Sequence, residues 1–126
     1  MAAPGQGFAP GRHAIEAIGK GGFLFAGMSH IGAILALPSG IHAWPVAGMA
    51  DVTWDALAQA LSEREGFDFL LIGTGARFEP LSPALARALR DDGIRFEAMS
   101  TSSATQTYNI LLDEGRKVAA ALVAVP

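Results

Sequence analysis

Short apolar stretches separated by glycine- and proline-rich turns make up the first half of the chain. They are too short for stable helices and contain few polar positions, which is typical of strands covered on both faces. Glycines over residues 19–22 supply positive φ at little cost, and residues 38–40 form a second turn. We predict four strands here, over residues 13–18, 23–26, 31–37 and 41–44, the last of them ended by Pro45.

The second half alternates a helical periodicity with runs of buried character. Trp54, Leu57, Ala58 and Leu61 are spaced as one apolar stripe, which predicts a helix from Asp51 or Thr53 to about Arg64, ended by Gly66. Further helices are predicted from Ser82, with proline at the first helical position, and from Ser100 or Thr101 to Glu114. We predict strands between them, over residues 67–72, 94–99 and 118–125.

Length and composition indicate a compact, soluble chain. The 126 residues suit one domain, and 51% of them are apolar while 17% are charged. Residues 1–12 are small and are predicted to be a flexible lead-in, which leaves residues 13–126 as a single α/β domain. The absence of cysteine excludes disulfides and cysteine-ligated metal centres, and the net charge of −3 argues against a nucleic-acid partner.

The uncharged stretch between Lys20 and Asp51 has to be considered as a membrane span. A spanning helix needs about 20 continuous apolar residues. The best piece, residues 23–37, is shorter and is interrupted by glycine, serine and histidine. We therefore predict buried strands and no transmembrane segment. No basic segment followed by an apolar one begins the chain, so no secretory signal is expected.

Polar residues follow two of the predicted strands at the points where they end. Gly73, Thr74 and Gly75 come directly after one strand, and Ser100 and Thr101 come after the next. If the two strands are parallel neighbours, both loops meet at one edge of the sheet, where open α/β sheets bind ligands. Helix N-terminal N–H groups there, together with the nearby Arg77, suit a phosphate, a sulfate or a carboxylate. The alternative is a tight strand-end turn, because no complete nucleotide-binding motif is present.

The remaining polar candidates favour structural roles. Asn109 lies inside the last predicted helix, where asparagine is unfavourable, so we expect it to brace a loop or to contact a ligand at the same cleft. His13, His30 and His42 do not have the spacing of a metal site and are predicted to be structural. The sequence predicts no catalytic residue, no metal site and no cofactor.

Several short motifs together resemble one family. They are LLIGTG at 70–75, the helix over 82–90, GI at 93–94, EAM at 97–99, TYNIL at 107–111 and EGR at 114–116. Residues 13–126 resemble the uncharacterised Mth-like domain family, whose eukaryotic relatives include mitochondrial complex I assembly factor three and an adipogenesis-associated protein. The resemblance implies a three-layer β + α/β/α fold with N-terminal β-hairpins, a mixed central sheet flanked by helices and an antiparallel last strand. The chain departs from the family pattern at Ser100, where an acidic residue is expected, and near Thr105, where a cysteine or a small residue is expected.

The resemblance and the residues suggest two functions. The first is a non-enzymatic interaction protein that assists assembly of respiratory complex I or a related complex, with a complex I subunit or another assembly factor as its partner. The uncharged strands over residues 23–50 would supply the docking face. The alternative is a small-ligand- or anion-binding domain, or a weak enzyme, that uses the cleft at 73–77 and 100–109. The expected location is the cytoplasm, at the inner face of the membrane, and no oligomeric state is predicted.

Overall fold

Nine strands form two sheets of different size. The structure, a computed structural model, describes residues 8–126. The strands are β1 (Phe8–Pro10), β2 (Ile15–Gly19), β3 (Gly22–Phe25), β4 (Met28–Ile31), β5 (Ala33–Leu37), β6 (Gly40–Trp44), β7 (Phe69–Gly73), β8 (Phe96–Met99) and β9 (Val118–Leu122). Six of them form a mixed central sheet in the order β1-β6-β5-β9-β7-β8, and the other three form a small antiparallel sheet in the order β2-β3-β4.

Helices and the small sheet cover the two faces of the central sheet. The helices are α1 (Ala58–Ser62), α2 (Pro83–Asp91) and α3 (Thr101–Asp113). Leu61 of α1 and Leu89 of α2 pack in one hydrophobic core with Leu70 and Ile72 of β7. Tyr108 of α3 and Phe25 of the small sheet pack in a second core, on the side of the central sheet that carries Leu71. The predicted three-layer α/β fold with N-terminal hairpins is confirmed.

The parallel part of the central sheet is built by two crossovers. The chain runs from β7 through α2 to β8, and then through α3 to β9, so that β7 lies between β8 and β9 and parallel to both. The expectation of an antiparallel last strand is therefore half correct, because β9 is antiparallel to β5 but parallel to β7. β9 also ends at Leu122, before the predicted end at Val125. Neighbours on both sides and cores on both faces explain why all five residues of β9 are buried.

Two tight turns shape the small sheet and explain an unpredicted strand. Lys20 and Gly21 both have positive φ, as do Ala26 and Gly27, which is the geometry of two-residue hairpin turns. The second turn reverses the chain into β4, a strand that was not predicted from the sequence. Gly32, at a φ of 104°, then separates β4 from β5, so the predicted strand over 31–37 is in fact two strands in different sheets.

The helix predicted from Asp51 or Thr53 to about Arg64 is present over most of its length, but it is irregular. Only Ala58–Ser62 is α-helical, and 3-10 turns lie at Met49–Asp51, Asp55–Leu57 and Arg64–Gly66. The Ala56 carbonyl, inside the predicted helix, accepts a hydrogen bond of 2.7 Å from the Trp44 indole. Gly66 ends this stretch as predicted but without positive φ, and a Cβ added to it would lie 2.8 Å from Cγ of Pro38. Glycine is required there for close packing.

The other helix signals are confirmed. Ser82 caps α2 by accepting a hydrogen bond from the Leu85 amide, and Pro83 occupies the first turn. Ser100 caps α3 by accepting from the Ser103 amide. Gly93 and Gly115 follow the ends of these helices, both with φ of 75°.

The N-terminal segment is partly ordered into the sheet. The predicted flexible lead-in is corrected at Phe8–Pro10, which forms β1 and pairs with β6, while residues 1–7 lie outside the described residues. The sequence signal was missed because glycine and proline dominate this segment. Within residues 8–126, no helix is long and apolar enough to cross a membrane. The uncharged stretch instead forms β3 to β6.

Candidate functional site

Five of the seven predicted site residues meet where β7 and β8 end. They are Gly73, Thr74, Gly75, Ser100 and Thr101. The Thr74 amide donates to the Met99 carbonyl at 2.8 Å, and the Thr101 amide donates to the Gly75 carbonyl at 2.9 Å. These bonds join the loop after β7 to the start of α3. A Cβ on Gly73 would lie 3.0 Å from Cα of Thr101, so the close approach of loop and helix depends on glycine.

Two buried threonines use their hydroxyls inside this junction. Thr101 Oγ1 donates to the Val123 carbonyl at 2.7 Å and accepts from the Gly75 amide at 2.9 Å. Thr74 Oγ1 donates to the Arg77 carbonyl at 2.6 Å and accepts from the Glu79 amide at 3.0 Å. Each hydroxyl therefore has a donor and an acceptor partner from the backbone, which fixes residues 74–79 and the exit of β9.

Most polar groups expected to receive an anion are already occupied by these bonds. The amides of Thr74, Gly75 and Thr101 donate within the junction, and Ser100 Oγ is used in the cap of α3. The Arg77 side chain is exposed, and within residues 8–126 its guanidinium makes no ion pair. The arrangement is that of a braced strand-end turn with one cation beside it.

Asn109 lies away from this junction and serves as a brace. It is eight residues beyond Thr101 along α3, which is about 12 Å of helical rise. Its Oδ1 accepts from the Ile15 amide and its Nδ2 donates to the Ile15 carbonyl, both at 2.8 Å. The side chain thus continues the β-type pairing of β2 and ties the small sheet to α3.

A Ser39–His42–Glu63 cluster on the opposite side of the molecule was not predicted. Ser39 Oγ lies 2.8 Å from His42 Nε2 and donates to Glu63 Oε2 at 2.6 Å, while the Ser39 amide donates to Glu63 Oε1. The serine has one proton, so donation to the carboxylate leaves its oxygen to accept from the imidazole. That is the reverse of an activated nucleophile, which must donate to its base. Desolvation lowers the pKa of His42, and the negative charge of Glu63 opposes this shift.

The other two histidines, His13 and His30, contact backbone carbonyls. His13 Nε2 lies 2.8 Å from the Pro10 carbonyl, and the buried His30 has its Nε2 3.3 Å from the Ala33 carbonyl. Over the described part of the chain, no cluster of three or more histidine or carboxylate side chains is placed to hold a metal ion. These histidines fasten turns of the N-terminal half.

The outer side of the small sheet exposes apolar and small side chains. Ala17, Leu24 and Ser29 are paired across its three strands and are exposed, while Phe23 and Phe25 point inward. Ile31 at the end of β4 is 71% exposed. We call the residues Ala17, Leu24, Ser29 and Ile31 the hairpin face. A concavity of about 420 Å³ lies against them.

Fold and site together define a class of protein. It is an α/β domain in which the strand-end loops are braced internally and the small outer sheet exposes apolar side chains. The chain belongs to the family described as protein of unknown function DUF498/DUF598, whose model matches residues 15–123. Its structural neighbours include a Bordetella pertussis protein described as a Mth938-like domain, with 32% identity, a TM-score of 0.77 and coverage of 89% of this chain and 85% of that one. The predicted membership of the Mth-like domain family is confirmed.

Other relatives extend this comparison. A structure described as an outer membrane protein from Bartonella henselae is 43% identical, with a TM-score of 0.87 and coverage of 93% and 98% of the two chains. An uncharacterised Rhodobacter capsulatus protein is 40% identical over 126 residues, which is 100% of this chain and 95% of that protein. The Homo sapiens protein named NADH dehydrogenase (ubiquinone) 1 alpha subcomplex assembly factor 3 is 31% identical over 112 residues, which is 89% of this chain. The chain spans about 61% of that relative's length.

Proposed function

We propose that this chain is a non-enzymatic assembly factor that binds a protein partner during assembly of respiratory complex I or a related complex. The carrying observation is the 31–32% identity to proteins named as NADH dehydrogenase assembly factors, over 89% of this chain. The partner in this proposal is a complex I subunit or another assembly factor. The proposed location is the cytoplasm, at the inner face of the membrane where such a complex is built.

The hairpin face is the docking surface in this proposal. Leu24 and Ile31 expose large apolar side chains beside small residues, and the charged Lys20 lies at the edge of the same concavity. Full burial of a large apolar side chain contributes about 1.5–3 kcal/mol, so Ile31, at 71% exposure, contributes more to docking than Leu24, at 36%. In the rest of the uncharged stretch, β5 is buried along its whole length, whereas Pro45 and Ala47 are exposed. Within the docking surface predicted over residues 23–50, we place the contact on the small sheet, which carries the exposed Ile31.

Charge placed on the hairpin face tests this function. Deletion of the gene in its host is expected to lower the amount of assembled complex I in membranes, and the parent gene should restore it. Ile31→Glu should fail to restore assembly, because a carboxylate would have to be desolvated at the interface. Ile110→Glu on α3 is the matched control, since Ile110 is also more than half exposed but lies on another surface.

Two results would contradict the proposal. Full restoration of complex I by Ile31→Glu would show that the hairpin face is not the docking surface. An unchanged amount of complex I after deletion of the gene would exclude the assembly role. Measured turnover that Thr74→Ala abolishes, together with normal complex I, would favour an enzyme instead.

The alternative function, binding of an anion at the strand ends, stays a prediction. One observation favours it: Arg77, which follows the junction in the chain, is exposed. Under that hypothesis, phosphate at about 100 times its dissociation constant raises the free energy of unfolding by about 2.7 kcal/mol. Thermal melting in phosphate against chloride of equal ionic strength measures this effect. An equal response from Arg77→Ala would exclude Arg77 from any such site.

A further inference from the structure

Five of the nine lysines and arginines lie along one continuous surface. Three concavities, of about 630, 470 and 360 Å³, follow one another across α2 and the amino ends of the parallel strands. Arg90 lines the first and second, and Arg95 lines the second and third. We call the five cations the basic track: they are Arg87, Arg90, Arg95, Arg116 and Lys117.

The charges of the track are largely unneutralised. Within residues 8–126, its one ion pair joins Arg116 to Glu114 at 3.8 Å, and both side chains are more than half exposed. Among the residues that line the three concavities, Asp68 in the third is the one carboxylate. The residues that line the three concavities thus carry five positive charges and one negative charge, in a chain of net charge −3.

The floor of the track is apolar. Leu81 contributes to the first concavity, Phe69 and Ile94 to the second, and Leu111 to the third. An elongated surface with an apolar floor and cationic walls suits a chain that carries carboxylates and apolar side chains in alternation. A small anion would contact only one of the three concavities.

We propose that the basic track binds an extended acidic peptide segment of another protein. A nucleic acid fits less well on this surface, because the ring of Phe96 is not open to stacking bases. The Arg90 guanidinium covers this ring, 5.6 Å from its centroid.

This surface is separate from the hairpin face. The two sets of lining residues have no member in common. The inference therefore does not depend on the assembly function, and either can fail alone.

Fluorescence anisotropy with a labelled peptide of alternating glutamate and leucine tests the track. The parent protein should bind this peptide, should bind its glutamine–leucine counterpart at least tenfold more weakly, and should lose affinity as salt rises, because the attraction is electrostatic. Arg95→Ala and Lys117→Ala should each weaken binding about two- to fivefold, as expected for exposed charges. Lys20→Ala, in the turn between β2 and β3, removes one exposed positive charge outside the track and should leave binding unchanged.

A charge reversal keeps the test independent of stability. The double variant Arg95→Glu with Lys117→Glu should lose affinity for the acidic peptide and gain affinity for a lysine–leucine peptide. An unfolded or destabilised protein would not exchange one affinity for the other. Binding of the glutamine–leucine peptide as strongly as the acidic one would overturn the proposal. Equal loss in Lys20→Ala, no binding by the parent, or displacement by single-stranded DNA at a lower concentration than unlabelled peptide would overturn it as well.

Discussion

Single polar side chains connect elements that are distant in sequence. Asn109 joins α3 to Ile15, and the Trp44 indole joins β6 to the carbonyl of Ala56. Each side chain satisfies a backbone group that would otherwise be buried without a partner, and an unpaired buried group costs about 1–3 kcal/mol. At the residue scale, polar residues in unfavourable local positions are therefore explained by the tertiary contacts they make.

Removing the Asn109 brace should be costly. Asn109→Ala is expected to lower the free energy of unfolding by about 2–3 kcal/mol, because the amide and carbonyl of Ile15 lose their partners. Urea unfolding measures the change. Gln106→Ala, an exposed position on the same helix, should change stability by less than about 0.5 kcal/mol. Similar values for the two variants would show that the brace contributes nothing.

Tyr108 makes stability fall at high pH. Burial raises the pKa of its phenol to about 12, and the nearby Arg12 opposes this shift. The unfolded chain releases the proton near the ordinary pKa of 10.0, so the free energy of unfolding should decline from pH 10 to 12 and not below pH 10. The decline is on the order of 2–3 kcal/mol.

Absorbance measures the Tyr108 titration directly, because the chain has one tyrosine. The phenolate signal should appear well above pH 10 in the folded protein and near pH 10 in denaturant. A native midpoint at the ordinary value would mean that the phenol is not buried. Tyr108→Phe should remove the decline in stability.

Close backbone approach decides the packing of α3 against the sheet. Gly73 ends β7 where α3 begins, and an added Cβ would lie 2.8 Å from Leu122 Cδ2 and 2.9 Å from Thr101 Oγ1. The leucine end can move, but the threonine is fixed by its bonds to Gly75 and Val123. At the scale of elements, Gly73 at the end of β7 therefore positions a helix and does not create a ligand loop by itself.

Gly73→Ala should destabilise the protein by about 1–3 kcal/mol through overpacking. Gly48→Ala is the matched control, since Gly48 has extended backbone and nothing within 4 Å of an added Cβ. Thermal melting of both variants gives the comparison. A melting temperature for Gly73→Ala that equals that of Gly48→Ala would mean that α3 shifts without cost.

Two cores share one narrow strand at the centre of the molecule. β9 contains Ala119, Ala120 and Ala121, which alternate between the two cores and are completely buried. Alanine is not favoured in strands, but here its small size lets the layers on both faces come close. At the scale of the molecule, stability is concentrated in β5, β9 and β7, while residues 45–57 form only 3-10 turns and irregular chain.

Hydrogen exchange should follow this distribution. The amides of β9 and β7 are expected to exchange last, at the rate of global unfolding, and those of residues 45–57 first. Exchange followed by mass spectrometry of peptic fragments separates these segments. Early exchange of β9 would contradict a cooperative three-layer core.

The sequence by itself determined most helices and strands, because caps, glycine ends and apolar periodicity are local. Ser82, Pro83 and Ser100 marked the helix starts correctly, and the motifs around Gly73 and Asn109 identified the family. Local pattern failed at β4, because the tight turn before it has Ala26 at positive φ, which is rare for alanine. It also did not predict the 3-10 turns around α1, where the Ala56 carbonyl accepts a hydrogen bond from the Trp44 indole. Only the tertiary structure showed that the strand-end donors bond to one another, since their partners lie on other elements. The basic track was equally hidden, because its charges come from α2, the start of β8 and the start of β9 and converge only in the folded chain.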